Sequence, residues 1–164
     1  MNSSEIQEDY MGVPTPTPEA IHRMSTPAAP PAAGPYSQST YYAGILYVSG
    51  QLPIDPLTGE VVEPGDAGAQ THQVIANLSA ILDRAGASLR NVLKATVFLR
   101  RIEDFAAVND VYSSYFGTIL PARSCVAVSS LPNSRALVEI EVIAAVGGPE
   151  NRLIGKRLFE ATPC

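Results

Sequence analysis

The sequence is poor in the residues that build metal sites and disulfide frameworks. Its 164 residues include two cysteines, Cys125 and Cys164, two histidines, His22 and His72, and no tryptophan. Two cysteines are too few for a disulfide framework, which favours a reducing compartment such as the cytoplasm. Because zinc sites need clustered cysteine and histidine, we expect no metal. Neither a P-loop nor a G-x-G-x-x-G motif occurs, so no nucleotide is implied.

Charge and hydropathy exclude further classes of protein. The 11 Lys+Arg against 16 Asp+Glu give a net charge of −5, whereas a nucleic-acid binder normally carries a basic stripe. No apolar run approaches the roughly 20 residues that span a bilayer. The first ten residues carry Glu5, Glu8 and Asp9 where a secretory signal has its basic start. We therefore expect a cytoplasmic protein that binds neither nucleic acid nor membrane, with enough apolar residues for one domain.

Proline divides the chain into a domain and two tails. Seven of the fourteen prolines lie at or before residue 35, and proline-rich segments lack the donors that a sheet needs. We predict a flexible arm over residues 1–30, which could also serve as a docking segment for a partner. The folded domain is predicted over residues 31–147. A tail with a short amphipathic turn is predicted over residues 148–164.

Alternating periodicities inside the domain predict an α+β fold. Period-two segments indicate two strands within 41–49, separated by a turn at Gly44, and further strands over 91–99, 122–128 and 137–145. Helical periodicity indicates one helix around 74–85 and a second that begins near residue 103, with an aromatic face at Phe105, Val108, Tyr112, Tyr115 and Phe116. The order ββ-α-β-α-ββ predicts a mixed β-sheet with two helices packed on one face.

Side-chain alternation predicts which residues face away from the helices. Arg123 and Cys125 share one face of their strand, and Glu139 and Glu141 share one face of theirs. A face that carries all three charges is too polar to lie beneath helices, so we predict these residues on the uncovered side. That side also carries more apolar surface than a monomer usually exposes. We therefore expect an oligomer whose subunits cover it, with the charges in the cleft between them.

Four of these side chains offer chemistry. Arg123 lies in an otherwise apolar segment, and its guanidinium matches a carboxylate, although a cross-strand ion pair with Glu139 or Glu141 is the structural alternative. The two glutamates could divide acid and base work if burial raises one pKa, or form a solvated or salt-bridged edge. Cys125 has no histidine close in sequence to activate it. We therefore interpret it as a small strand residue whose backbone lines the pocket.

A series of motifs, in this order, closely resembles the RidA/YjgF (reactive intermediate deaminase) family from about Thr26 to Val146. They are Gly-Pro-Tyr-Ser-Gln at 34–38, Val-Ser-Gly-Gln-Leu-Pro at 48–53, Thr-Gly-Glu at 58–60, Asp-Phe-Ala-Ala-Val-Asn at 104–109, Tyr112 to Phe116, Pro-Ala-Arg-Ser-Cys-Val at 121–126, and Val-Glu-Ile-Glu at 138–141. The resemblance implies a chorismate-mutase-like fold and a homotrimer with intersubunit clefts. It also implies an imine/enamine deaminase (EC 3.5.99-type) that hydrolyses 2-aminoacrylate or 2-iminobutanoate to 2-keto acids and ammonia.

The resemblance also implies a role for each site residue. Arg123 would clamp the substrate carboxylate with help from the Cys125 backbone. Glu139 would orient or deprotonate the attacking water, and Glu141 matches a less critical second acid. The other substrate-binding residues would line or support the pocket: Tyr36, Ser49, Gly50 and Asn109.

The chemistry of imine hydrolysis fits so sparse a site. One arginine that holds the carboxylate and one glutamate that assists the water are sufficient, so we expect no cofactor. Two alternatives stay open. One is a family enzyme that acts on a larger imine or enamine in specialised or degradative metabolism. The other is a non-catalytic regulator that binds a carboxylate metabolite in the same cleft.

Overall fold

A mixed six-stranded sheet organises residues 20–147, the part of the chain that the computed structural model describes. Its strands are β1 His22–Met24, β2 Ser39–Tyr42, β3 Ile45–Gln51, β4 Val92–Leu99, β5 Ala122–Ala127 and β6 Val138–Ala145. The helices are α1 Ala67–Arg84 and α2 Phe105–Phe116. The spatial order is β1-β2-β3-β6-β4-β5, and all neighbours are antiparallel except β4 and β5. The predicted α+β fold is confirmed.

The strand β1 was not predicted, because it lies inside the proline-rich region interpreted as an arm over residues 1–30. It pairs with β2, and the following segment is held by the buried side chain of Gln38. The amide of Gln38 accepts a hydrogen bond from Thr26 N at 2.7 Å and donates to the Pro30 carbonyl at 2.7 Å. Side-chain hydrogen bonds thus replace the donors that proline lacks. Residues 20–30, which were predicted to belong to the flexible arm, are therefore part of the folded domain.

Part of the predicted arm and all of the predicted C-terminal tail lie outside the described residues. Residues 1–19 of the predicted arm lie outside the described residues. The predicted tail over 148–164, with its amphipathic turn, lies outside them as well.

Helix α1 begins about two turns before the predicted segment. Asp66 caps it by accepting a hydrogen bond from Ala69 N at 2.9 Å. The first turns bury Gln70, whose amide donates to the Arg135 carbonyl at 3.0 Å and accepts from Leu137 N at 2.7 Å. A buried glutamine interrupts the apolar periodicity, and the sequence pattern therefore missed these turns. Neither helix of residues 20–147 is long and apolar enough to cross a membrane.

Helix α2 packs on the sheet beside α1 through Val108, Tyr112 and Phe116, as predicted. The other two residues of the predicted aromatic face, Phe105 and Tyr115, remain about two-fifths exposed, at 41% and 42%. At about 100° per residue the five residues lie within an arc of about 100°, the width of an ordinary apolar face. Phe105 is the first residue of the helix and lies near Arg123, and Tyr115 lies at the edge of the arc and contacts His72, so both remain partly exposed.

The strand β6 separates the two faces of the sheet. Its buried residues, which face the helices, are Val138, Ile140, Val142 and Ala144. Glu139, Glu141 and Ile143 alternate with them on the open face, as predicted. This open face also carries Tyr47, which is 48% exposed, and Val126, which is 46% exposed. The predicted glutamates and uncovered apolar surface are present on this face, but Arg123 and Cys125, which were predicted on the same face, lie on the helix side.

Candidate active site

A β-bulge in β3 brings Glu139 against the main chain of Gly50. The pairing of β3 with β6 shifts by one residue within 48–51, so that Ser49 and Gly50 leave the regular ladder. A Cβ atom at position 50 would lie 2.0 Å from Oε1 of Glu139, so only glycine leaves room for this carboxyl group. Ser49 Oγ donates to the Ser37 carbonyl at 2.7 Å, which ties the bulge to the preceding loop. The bulge thus positions the predicted acid.

The environment of Glu139 favours its protonated form. The side chain is half-buried, and this burial is the main cause that raises the pKa of its carboxyl group above the usual range. The negative charge of Glu141, two residues further along the same face, raises the pKa of Glu139 further. No lysine or arginine within residues 20–147 forms a salt bridge with either glutamate. Burial and the neighbouring charge therefore both raise the pKa of Glu139, a perturbation typical of acid–base residues.

Arg123 is held on the other side of the sheet by residues of α2. Its Nη2 donates a hydrogen bond to Oδ1 of Asn109 at 2.8 Å. Its Cζ lies 4.6 Å from the ring centroid of Tyr112 and 5.9 Å from that of Phe105. The remaining guanidinium nitrogens, Nε and Nη1, form no hydrogen bond to the described part of the chain. The guanidinium is partly buried and oriented, with donors left for an anionic ligand.

The prediction that Arg123 shares a face with Glu139 and Glu141 is wrong. In the register of β4 with its neighbours, Arg123 is paired with Ala95, and Ala95 with Val142. All three side chains point towards the helices, whereas Glu139 and Glu141 point to the open face. The cross-strand ion pair considered from the sequence therefore does not form. The parallel pairing of β4 with β5, which alternation within a strand does not specify, sets this register.

The two predicted catalytic residues are also far apart within one chain. The strand β4 lies between β5 and β6, and Glu139 is three residues from Val142, the residue in register with Arg123. Two strand spacings and three residues place the two Cα atoms roughly 14 Å apart. One chain therefore presents two half-sites on opposite faces of its sheet.

Cys125 has the character of a packing residue. It follows Arg123 on the same face of β5, is partly buried and packs against the core. Burial is the main cause that raises the pKa of its thiol, and the nearby charge of Arg123 offsets this only in part. The thiolate is the nucleophilic form, so a thiol with a raised pKa is poorly activated at neutral pH. This agrees with the interpretation of Cys125 as a small strand residue.

Tyr36 lines a cleft of about 720 Å³ and precedes Ser37, whose carbonyl accepts the hydrogen bond from Ser49 of the bulge. The cleft is formed by the end of β1 and the loop that follows it. The Tyr36 hydroxyl accepts a hydrogen bond from Ala33 N at 3.2 Å, yet the side chain is 52% exposed. An exposed tyrosine beside a cleft is available to a ligand or to a second subunit.

The structure adds Phe105 and Tyr112 to the site, where the sequence reasoning assigned only Asn109 of helix α2. The three residues recur at i, i+4 and i+7, so that one face of α2 meets Arg123. Phe105 and Tyr112 had been interpreted only as part of a packing face. No group of three histidine, cysteine, aspartate or glutamate residues within 20–147 is arranged to hold a metal ion.

Comparison with known proteins supports the resemblance. The family profile described as endoribonuclease L-PSP matches residues 26–146. A RutC family protein of Pyrococcus abyssi is 52% identical over 119 residues, 73% of this chain and 92% of the relative. A 2-iminobutanoate/2-iminopropanoate deaminase of Capra hircus is 47% identical over 124 residues, 76% of this chain and 89% of the relative. The chain belongs to the RidA/YjgF family.

Solved structures of the RidA/YjgF family share this fold. The Rid family protein YyfA of Yersinia pestis superposes with a TM-score of 0.74 at 52% identity, over 77% of this chain and all of the neighbour. The YjgF gene product of E. coli superposes with a TM-score of 0.71 at 40% identity, over 76% of this chain and 98% of that one. The matched part of this RidA/YjgF chain contains both half-sites.

Proposed function

We propose that this protein hydrolyses reactive 2-imino and 2-enamino acids, such as 2-iminobutanoate and 2-aminoacrylate, to 2-keto acids and ammonia. The observation that carries the proposal is the pair of half-sites. One is an oriented arginine with unused donors, and the other is a half-buried glutamate without a cation. Relatives named 2-iminobutanoate/2-iminopropanoate deaminase, 47% and 46% identical, support the same reaction.

Arg123 suits the carboxylate of such a substrate. A guanidinium that donates one Nη2 hydrogen to Asn109 keeps its second Nη2 hydrogen, so one of its two bidentate edges, Nη2 with either Nη1 or Nε, remains for a planar carboxylate. The aromatic rings beside it limit water on that side, which strengthens a charge-assisted hydrogen bond. The backbone N–H and C=O groups of Cys125, two residues further along β5, offer further polar contacts next to Arg123. In this proposal the arginine fixes the orientation of the substrate.

Assembly of the site requires a second copy of the chain. Arg123 and Glu139 lie on opposite faces of one sheet, so one protomer cannot direct both at the same small substrate. The open face, with Tyr47 and Val126 about half exposed, offers apolar surface for subunits to bury. We propose a homotrimer in which Arg123 of one protomer and Glu139 of its partner meet across each cleft. Cyclic symmetry then gives three identical sites.

The proposed reaction consumes one water and releases one ammonia. Glu139, in its ionised form, accepts a proton from a water molecule as the water oxygen adds to the imine carbon. Glu139 returns that proton to the imine nitrogen, which gives a carbinolamine. The hydroxyl proton then moves to the same nitrogen as the C–N bond breaks, so that the carbonyl of the 2-keto acid forms and ammonia leaves. A 2-enamino acid first gains a proton at C3 and loses one from nitrogen, which converts it to the imine. The bulge at Ser49 and Gly50 places backbone polar groups beside this carboxyl group. Neither a metal nor a covalent intermediate is required for these steps.

The two alternative functions, an enzyme for a larger imine and a non-catalytic regulator, predict different behaviour towards a small imine. A family enzyme for a larger imine would use both residues but would favour a long substrate, for which the cleft of about 720 Å³ beside Tyr36 offers space. A regulator would bind 2-keto acids through Arg123 without turnover. We favour a hydrolase over a regulator because the raised pKa of Glu139 is not needed for binding an anion. We favour a small substrate because two relatives, 47% and 46% identical, are named 2-iminobutanoate/2-iminopropanoate deaminase.

The decisive experiment generates the imine in place and measures its lifetime. An amino-acid oxidase forms 2-iminobutanoate, and the rate of imine loss is compared with and without the protein. Wild-type protein should accelerate loss, and Arg123→Met should abolish the acceleration by removing the charge at nearly constant volume. Arg101→Met is the matched control, because Arg101 is exposed and pairs only with Asp104. Equal rates for wild type and Arg123→Met would contradict the proposal.

Glu139→Gln separates the enzyme from the regulator. The variant keeps the shape of the side chain and should bind 2-ketobutyrate as wild type does, while its turnover falls by about 10²–10⁴-fold. Glu103→Gln, in the exposed turn that precedes α2, removes the same charge from a residue outside the proposed site and should be silent. Full turnover by Glu139→Gln would remove this residue from the mechanism.

A further inference from the structure

Tyr112 combines deep burial with an unusual lack of hydrogen bonding. The side chain is only 4% exposed, and its hydroxyl has no hydrogen-bond partner within residues 20–147. Its ring stacks on Phe116, with centroids 4.2 Å apart and an interplanar angle of 19°. A buried hydroxyl without a partner costs stability, so phenylalanine would be the better packing residue here. Within the described residues the hydroxyl of Tyr112 therefore contributes no contact, and the contacts of this side chain are those of its ring.

The ring of Tyr112 provides a surface for the guanidinium of Arg123. The Cζ atom of Arg123 lies 4.6 Å from the ring centroid, within the range of a cation–π contact, while Phe105 lies further away at 5.9 Å. The hydrogen bond to Asn109 fixes the position of one nitrogen of Arg123, but a single hydrogen bond does not by itself restrict rotation of the guanidinium plane. Stacking on a ring that is itself fixed by Phe116 removes that freedom.

We propose that Tyr112 is a positioning residue that holds the guanidinium of Arg123 in its carboxylate-binding orientation through its ring, and that its hydroxyl is dispensable. The inference rests on the proposed function for the identity of the ligand, although the contact itself does not depend on it. Burial raises the pKa of Tyr112 to about 12, so the hydroxyl stays neutral and does not compete with the substrate as an anion.

Two variants separate the ring from the hydroxyl. Tyr112→Phe keeps the ring and should leave KM and kcat for 2-iminobutanoate within about twofold, while raising the thermal unfolding midpoint. Tyr112→Leu removes the ring and should raise KM by about 3- to 30-fold, the range of a partly desolvated cation–π contact, with kcat within about twofold. Loss of an orienting contact to the bound carboxylate affects binding of substrate and transition state alike.

A packing control distinguishes positioning from general damage to α2. Val108→Ala removes buried volume from the same helix without touching Arg123 and should lower stability while KM stays unchanged. The inference is overturned if Val108→Ala raises KM as much as Tyr112→Leu does. It is also overturned if Tyr112→Phe raises KM to the level of Tyr112→Leu, since the hydroxyl would then be the active group.

A second readout does not require any activity. In protein labelled with ¹⁵N-arginine, the Nε–H signal of Arg123, assigned by its loss in Arg123→Lys, should be ordered and shifted by the ring current of Tyr112. The signal should keep these properties in Tyr112→Phe and lose them in Tyr112→Leu. If the protein proves to have no deaminase activity, this result still decides whether the ring positions Arg123. An Arg123 signal unchanged in Tyr112→Leu would refute the inference.

Discussion

The carboxyl group of Glu139 fills the space beside Gly50 that a side chain at position 50 would need. A Cβ atom at this position would lie 2.0 Å from Oε1 of Glu139. Contacts this short do not occur in proteins, so the two residues constrain each other. The glycine is therefore required by the glutamate beside it. This gives a direct way to move the proposed catalytic acid without altering it.

Gly50→Ala should displace the Glu139 carboxyl group and lower kcat for imine hydrolysis by at least about 100-fold, since the acid–base contribution of a positioned side chain is of that order. Binding of 2-ketobutyrate, which depends on Arg123, should persist, and calorimetry can measure it. Gly68→Ala is the matched control, because a Cβ there meets its nearest atom at 3.3 Å, the end of a capping side chain. Unchanged kcat in Gly50→Ala would show that the position of Glu139 is unimportant.

Glu141→Gln should move the acid limb of the kcat profile to lower pH. The charge of Glu141 helps to raise the pKa of Glu139, so its removal should lower that pKa and let Glu139 ionise sooner as pH rises. The measurement is kcat against pH for wild type and variant. Glu103→Gln removes an equal charge elsewhere and should leave the profile in place. A shift of the limb to higher pH would contradict this electrostatic relationship.

The same raised pKa predicts a pH-dependent stability difference. Protonated Glu139 contributes stability that is fully present below the unfolded-state pKa and is lost as pH rises through the raised folded-state pKa. Wild type should therefore lose stability relative to Glu139→Gln as pH rises from the ordinary glutamate pKa of 4.5 through the raised pKa of the folded state. Thermal unfolding of both proteins over this pH range measures it. A difference that is constant across the range would show that the pKa of Glu139 is not raised.

Gln38→Leu should destabilise the protein by about 2–4 kcal/mol. The change leaves Thr26 N and the carbonyls of Ala29 and Pro30 without their side-chain partner, and each buried polar group left unpaired costs about 1–3 kcal/mol, some of it recovered by water. Urea unfolding gives the free energy. Gln73→Leu, which removes only one half-buried bond to Asn77, should cost much less. If Gln38→Leu and Gln73→Leu lowered the free energy of unfolding equally, the hydrogen bonds of Gln38 would not be what holds the segment after β1.

Tyr47→Lys should break the proposed homotrimer. The residue is 48% exposed on the open face, where a buried lysine in each subunit would be costly. Light scattering should fall from about 50 kDa towards the 17.4 kDa of one chain, with an unchanged circular dichroism spectrum. Tyr115→Lys, at a similarly exposed tyrosine on α2, should leave the mass unchanged. A single-chain mass for the wild type would contradict the proposed assembly.

Much of the fold could be predicted because local patterns specify it. The alternation in β6 placed Glu139 opposite its buried neighbours, and the turn at Gly44 joins β2 to β3 as expected. The motifs also identified Arg123, Asn109 and Glu139 as site residues, and the hydrogen bond from Arg123 to Asn109 connects two of them. The sequence missed β1, since proline-rich segments carry no strand signal and Gln38 compensates for them only in three dimensions.

The sequence by itself determined which residues alternate along each strand, which helix faces are apolar, and that a lone arginine and a pair of acids are the available chemistry. Only the tertiary structure decided that Arg123 and Glu139 lie on opposite faces. The register between β4 and β5 is a pairing of strands distant in sequence, and a shift of one residue would reverse the face of every side chain in β5. Tertiary packing likewise brings the ring of Tyr112 against Arg123.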